Sequence, residues 1–185
     1  MVHSTTGMQK TFWEYHKAYD HRLLAWKEEV LFTWEWWLGV ALTIIPWMLW
    51  FIFRKKDCTG RLLYAGTFVS LVSLTLDNIG IQLSAWNYLK PVTPVMPSYI
   101  PFDFALIPLS VMFLIQWFYH KNPWMIGLIF AILTAFIGEP IFKWLGIYVP
   151  TNWKYGYSIP FYTIIYYLAH KIASSKRFNE LGASK

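Results

Sequence analysis

Charge is what this chain has least of. Of its 185 residues only 14% are Asp, Glu, Lys or Arg, where a soluble domain carries about 25%. With 56% hydrophobic and 21% aromatic residues, that shortage excludes an ordinary soluble domain and indicates an all-α integral membrane protein. Cysteine is nearly absent too: Cys58 stands alone, so no intramolecular disulfide framework can form. No P-loop, dinucleotide fingerprint, G-x-S-x-G elbow or Cys/His metal spacing occurs, so neither a cofactor nor a metal is expected. The lack of a D-D-x-x-D box argues against metal-dependent prenyl transfer. A cleavable signal peptide is not expected, because a mixed-charge segment of more than thirty residues precedes the first apolar run. The net charge of +6 is accounted for by loops flanking apolar runs, which suits a membrane surface and not nucleic acid.

Five apolar runs, at 34–53, 62–85, 101–119, 124–145 and 157–173, each approach the roughly 20 residues needed to cross a bilayer. They define a transmembrane domain over 34–173. Before it, Phe12, Tyr15, Tyr19, Leu23, Trp26 and Val30 recur at helical spacing among charges, so residues 1–33 read as an amphipathic helix on the membrane or the bundle. His16, Asp20 and His21 could suggest a metal, but histidines five apart share a helical face poorly and a solvated surface is the simpler reading. Residues 174–185 form a polar tail, expected to fray.

The distribution of Lys and Arg sets the orientation. The loop at 54–61, Lys121, Lys171 and the tail together carry nine; the N-terminal segment, Lys90, Lys143 and Lys154 carry seven. The dense Arg54-Lys55-Lys56 cluster beside the first span favours a multi-pass protein of the cell membrane with its N-terminus outside and its C-terminus cytoplasmic.

The stretch 70–103 organises what remains. Asp77-Asn78 interrupts an apolar run, Trp86-x-Tyr88 follows, and Ile100-Pro101-Phe102-Asp103 opens the next run. A related order returns as Glu139, Trp153-x-Tyr155 and Ile159-Pro160-Phe161. These read as two copies of one unit, over about 62–119 and 124–173, forming a parallel internal repeat. Asp77 lies 15 residues after Leu62 and Glu139 lies 15 after Trp124, which sets both about 23 Å along their helices. Spans two and four run in the same direction, so Asp77, Glu139, Asp103 and both aromatic elements gather near one membrane face.

An acid within a span costs roughly 2.5–3.5 kcal/mol on insertion scales and is usually turned inward. It either lines a functional pocket or binds helices together as a structural polar contact. Ser70, Ser73, Asp77, Gly80 and Ser84 recur at intervals of three and four, a stripe suited to a lined cavity or a tight helix contact.

The series Asp77-Asn78, Trp86-x-Tyr88 and Pro101-Phe102-Asp103 resembles the small membrane-embedded lycopene cyclases of the bacterial heterodimeric type. Those are built from repeated helical units bearing an acid-Asn pair, a W-Y element and a P-I-E-E sequence. The likeness covers roughly 70–170; where that family has paired glutamates, this chain has Asp103 followed by Phe104. The chain also resembles a family of small membrane proteins of spore-forming Gram-positive bacteria, a likeness that implies no activity.

The first resemblance implies a redox-neutral cyclase or isomerase of an isoprenoid-like lipid. Its catalytic residues would be Asp77, Glu139 and Asp103, and Asn78, Trp86, Tyr88, Trp153 and Tyr155 would contact the substrate. Protonating a polyene requires a neutral carboxylic acid, and the resulting carbocation is stabilised by aromatic faces away from water. The alternative is a non-catalytic envelope protein that binds a lipid or a protein partner, with the acids as structural contacts. A small transporter is a third reading. The expected partner is a membrane lipid or an isoprenoid, not nucleic acid, and a homo-oligomer is compatible with either main reading.

Overall fold

The computed structural model describes residues 6–175; Lys176, Arg177, Lys185 and most of the polar tail lie outside the described residues. The chain is helical almost throughout. The helices are α1 (Gly7–Glu29), α2 (Trp34–Phe53), α3 (Thr59–Gln82), α4 (Ile107–Phe118), α5 (Pro123–Leu133), α6 (Glu139–Trp144) and α7 (Ser158–Ala173). A π-helical turn, Phe102–Leu106, leads into α4, and a second, Thr134–Gly138, joins α5 to α6. Three helical stretches, Trp34–Phe53, Lys56–Gln82 and Pro123–Trp144, are long and apolar enough to cross a membrane; Phe102–Phe118 is a shorter apolar helix.

Local chemistry sets the helix starts. Thr33 caps α2 by accepting from the Trp36 N–H at 3.4 Å, and Glu35 in the first turn suits the positive helix end. Asn122 caps α5 from the Trp124 N–H at 2.9 Å, with Pro123 in the first turn where no donor is lost.

The ends of α3 and α6 share one form. After α3 the backbone turns left-handed at Ser84 (φ 54°), and the Ala85 N–H reaches back to the Gly80 carbonyl at 2.8 Å. After α6 it turns left-handed at Gly146 (φ 70°), and the Ile147 N–H reaches the Phe142 carbonyl at 3.0 Å. Each closure satisfies a terminal carbonyl and redirects the chain across the helix end. Two short strands follow, β1 (Trp86–Tyr88) and β2 (Tyr148–Pro150). They pair antiparallel with Trp86 opposite Pro150, Asn87 opposite Val149 and Tyr88 opposite Tyr148.

In space α4, α3, α7 and α5 form a row, each packed on the next, while α2 lies against α4 and the turn before it. Lipid offers helices no hydrophobic reason to associate, so close contact and polar ties hold them. Gly66 admits the Met112 sulfur to the backbone of α3, and Ala65, Ala169 and Ala173 are buried beside Trp50, Ile115 and Tyr166. Gln116 ties α4 to the end of α2, donating to the Phe53 carbonyl at 3.1 Å and accepting from the Lys55 N–H at 2.8 Å. Outward positions such as Ile44, Ile45, Met48, Leu128 and Ile132 are exposed, as a lipid-facing surface requires.

Helix α1 buries no residue of its own. Its C-terminal half lies on the connection 91–98: Trp26 Nε1 donates to the Pro91 carbonyl at 2.8 Å, and Lys90 Nζ to the Glu29 carbonyl at 3.1 Å. Trp36 Nε1 holds the same connection through the Val92 carbonyl at 2.9 Å. Pro91, Pro94 and Ser98 are buried, so this proline-rich crossing is a pinned layer over the helix ends.

Candidate functional site

A second core lies at the strand end of the bundle, where Tyr88, Tyr99, Ile147 and Tyr148 are buried together with Phe102 and Phe142 packed on them. The acids converge beneath it. Asp77, Asp103 and Glu139 are 7%, 1% and 8% exposed, so all three are withdrawn from lipid and water alike. Asp77 and Glu139 line one small chamber of about 60 Å³, with Trp86, Tyr88, Tyr148 and Trp153 also in its wall. That is room for one or two water-sized groups. Asp103 stands behind the chamber, its carboxyl against that of Asp77.

The acids differ in how they are held. Asp77 Oδ1 accepts from Trp86 Nε1 at 2.8 Å and from the Tyr88 hydroxyl at 2.9 Å, while Oδ2 accepts from the Tyr99 N–H at 3.3 Å. Every partner is a donor, the pattern a carboxylate accepts. Asp103 Oδ1 accepts from the Ser73 hydroxyl at 2.6 Å, and Oδ2 is shielded with no hydrogen-bond partner among the described residues. Two carboxylates have no hydrogen between them, so contact of Asp103 with Asp77 is favourable only with a proton on one of them. Glu139 has Tyr148 and Ser158 against its carboxyl, and its Oε2 is likewise shielded without a partner.

Gly80 makes the Asp77 arrangement possible. The Trp86 indole lies directly on Gly80, where a Cβ would collide with the ring, and only that approach brings Nε1 to Asp77. Burial pushes the Tyr88 phenol well above its ordinary value, with the Asp77 and Asp103 charges adding to it. Burial likewise raises Tyr99 and Tyr148, the latter also facing Glu139. These loop tyrosines are therefore neutral through the physiological range.

Two apolar cavities reach the acids from the sides. One of about 240 Å³ lies between α3 and α7, with Asp77 and Trp86 on one wall and Trp153 and Tyr162 on the other. The second, about 460 Å³, lies between α4 and the α5–α6 stretch and runs from Phe102 and Glu139 to Trp117. Phe102 and Trp117 are 15 residues apart, about 22 Å along the helix. Its floor includes Thr134 and Gly138, the two ends of the π-helical turn, where the chain bulges just before Glu139.

The remaining sequence candidates are less central. Trp153 lies edge-on to Trp86 with ring centres 4.9 Å apart, and its Nε1 donates to the Ser158 hydroxyl at 2.8 Å. Asn78 turns back to the Leu74 carbonyl at 2.8 Å, and Tyr155 sits in a 3₁₀ turn, packed against the aromatic core; neither lines the chamber. Aligning Trp153-x-Tyr155 with Trp86-x-Tyr88 also differs from the strand geometry, in which Tyr148–Pro150 lies opposite β1. Sequence reasoning passed over Tyr148 and Ser158, and read Ser73 only as a member of the small-residue stripe. A usable signal existed for Tyr148: it lies nine residues after Glu139, as Trp86 lies nine after Asp77. Among the described residues no cluster of three or more His, Cys, Asp or Glu side chains is arranged to hold a metal ion. Comparison with protein-family models, with curated proteins and with solved structures finds no match.

Proposed function

We propose that this protein is a membrane-embedded, redox-neutral cyclase or isomerase of an isoprenoid-like lipid, initiated by a buried carboxylic acid. The observation that carries the reading is the chamber shared by Asp77 and Glu139, approached by apolar cavities and walled by Trp86, Trp153 and Tyr162. A lipid chain enters sideways from the bilayer. Glu139, whose Oε2 has no hydrogen-bond partner among the described residues, delivers a proton to an alkene carbon. The cation at the neighbouring carbon is attacked by an internal double bond, closing a ring, and loss of a proton from an adjacent carbon restores an alkene. Substrate and product are isomers, so no electron carrier is consumed. Aromatic faces stabilise the cation in the absence of water, and Asp77 with Asp103 supplies the opposing negative charge.

The same reading takes Phe102–Phe118 and Ser158–Ala173 as two further spans, giving five, with the basic loop at 54–61 on the cytoplasmic side. It takes the helix pairs as a parallel repeat about an axis along the membrane normal. Matching features support this: each acid lies seven residues before its left-handed cap residue, Ser84 or Gly146. The Leu89 N–H to Ile147 carbonyl bond at 3.0 Å is mirrored by Thr151 N–H to the Ala85 carbonyl at 2.9 Å.

The test is expression in membranes containing linear carotenoid or terpenoid precursors, followed by analysis of the lipid extract. An isomeric cyclic product from the unaltered protein, lost in Glu139→Gln while the variant still folds, is the expected result. Absence of product from every precursor with folded protein overturns the reading.

The competing reading, a non-catalytic lipid- or partner-binding protein, is favoured by one observation. Asp77 is fully engaged by loop donors, as a purely structural polar contact would be. Under that reading Asp77→Asn alters stability, while Glu139→Gln changes neither stability nor any lipid composition.

A further inference from the structure

At the opposite end of the bundle lies a cavity of about 310 Å³ that the acid site does not use. Lys55, Arg61 and His120 stand in its wall beside Gln116, and Leu62, Ile115, Trp117 and Ala173 supply apolar surface. Among the described residues no carboxylate lines it; the nearby Asp57 belongs to the adjoining 3₁₀ turn and does not contribute to the wall. The start of α3 borders it through Cys58 and Arg61. That helix of 24 residues has no acidic residue in its first turn and no side-chain cap from Cys58.

We infer that this cavity binds the phosphate headgroup of an anionic membrane lipid. Three observations converge on that ligand class. Two permanent cations and a histidine give one sign of charge, with no acid in the wall among the described residues, the complement of a phosphate. The location, between the loop at 54–61 and the turn at 119–122 where apolar helices end, is the depth at which lipid headgroups lie. Apolar side chains beside the cations suit the first carbons of a lipid, which a soluble anion lacks. Trp117 borders both this cavity and the far end of the Glu139 cavity, so a chain hanging from the bound headgroup continues along α4. The site stands independently of the proposed chemistry.

Native mass spectrometry of the full chain released from vesicles of equimolar phosphatidylglycerol and phosphatidylcholine tests this. The expected result is saturable retention of one phosphatidylglycerol at least fivefold over phosphatidylcholine. That preference should fall to near unity in Lys55→Gln/Arg61→Gln and persist in the charge-conserving Lys55→Arg/Arg61→Lys. A control pair at the other end of the molecule, Lys10→Gln/Lys17→Gln, should leave it unchanged. Equal retention of the two lipids by the unaltered protein overturns the inference, as does undiminished preference in the glutamine variant. If the glutamine variant fails to fold, lipid selectivity of the unaltered protein and of the charge-conserving variant still decides the matter. Displacement of the lipid by millimolar inorganic phosphate would assign the site to a soluble anion and overturn the lipid headgroup as its source.

Discussion

Asp77 and Glu139 each lie seven residues before a left-handed turn, at Ser84 and Gly146, yet they are held differently. Asp77 is surrounded by donors from three points of one loop, Trp86, Tyr88 and Tyr99, and so fixes that loop to the helix end. Glu139 has neighbours at its carboxyl but a shielded Oε2 with no partner among the described residues. Beside it the helix bulges and a 460 Å³ apolar cavity opens. An acid that is fully engaged stabilises; one left partly unengaged costs stability and persists where it serves another purpose. The pair teaches that a similar place near a helix end does not assign a role; the hydrogen-bond complement does.

The most damaging way to break the comparison is Asp77→Ala. It leaves an indole N–H, a phenol and a backbone N–H without their acceptor, each worth roughly 1–3 kcal/mol when stranded. A loss of more than about 3 kcal/mol is expected in thermal or denaturant unfolding in detergent. Asp77→Asn should cost less, about 1–3 kcal/mol: both Oδ1 and Oδ2 accept from loop donors, so the amide NH₂ must face one of them. Gly80→Leu comes next, because a side chain there displaces the Trp86 ring; overpacking of this kind costs about 1–3 kcal/mol. Near-ultraviolet circular dichroism should report the moved indole, and an unchanged spectrum would contradict the packing described.

Glu139→Gln should have the smallest effect among the acid-site variants, below about 1 kcal/mol, since no donor among the described residues depends on Oε2. A destabilisation equal to that of Asp77→Asn would erase the difference between the two sites. The buried loop tyrosines sharpen the picture at alkaline pH. Their phenols are raised in the folded state, so the unfolded chain ionises first. The stability they preserve is whole below about pH 10, the ordinary phenol value, and is lost as pH rises from there toward the elevated folded values. No change between pH 6 and 9 is expected from Tyr88, Tyr99 and Tyr148, and their phenolate absorbance should emerge only with unfolding.

The first apolar run, 34–53, coincides with α2 because its hydrophobicity is continuous and Thr33 and Arg54 mark its ends. The same reasoning carried the third and fourth runs less completely. π-Helical turns before α4 and between α5 and α6 leave no mark in a hydropathy pattern, since they change backbone hydrogen bonding and not composition. The site was legible where an ionisable residue stood in an apolar run: Asp77 and Glu139 stand out for that reason, and Asp103 through its place after Pro101. Ser158 was not legible, being an ordinary residue in a polar connection, and Tyr148 left only its nine-residue spacing from Glu139. The importance of Tyr148 arises from a two-strand pairing between segments about sixty residues apart. The stripe Ser73, Asp77 and Gly80 was readable as a face, but its three destinations, Asp103, the Trp86–Tyr88 strand and the Trp86 ring, were not.

The sequence by itself determined that this chain is helical and rich in apolar runs, because scarce charge and continuous hydrophobicity leave the backbone no other way to satisfy itself in lipid. It also determined that the acids had to turn inward, since an unpaired carboxylate is costly against hydrocarbon. Only the tertiary structure decided which acid is engaged and which is open. That depends on where the connection 91–98 crosses, how closely Trp86 approaches Gly80 and how β1 meets β2. Those contacts join residues distant in the chain, and neither periodicity nor composition along a single helix encodes the distance between them.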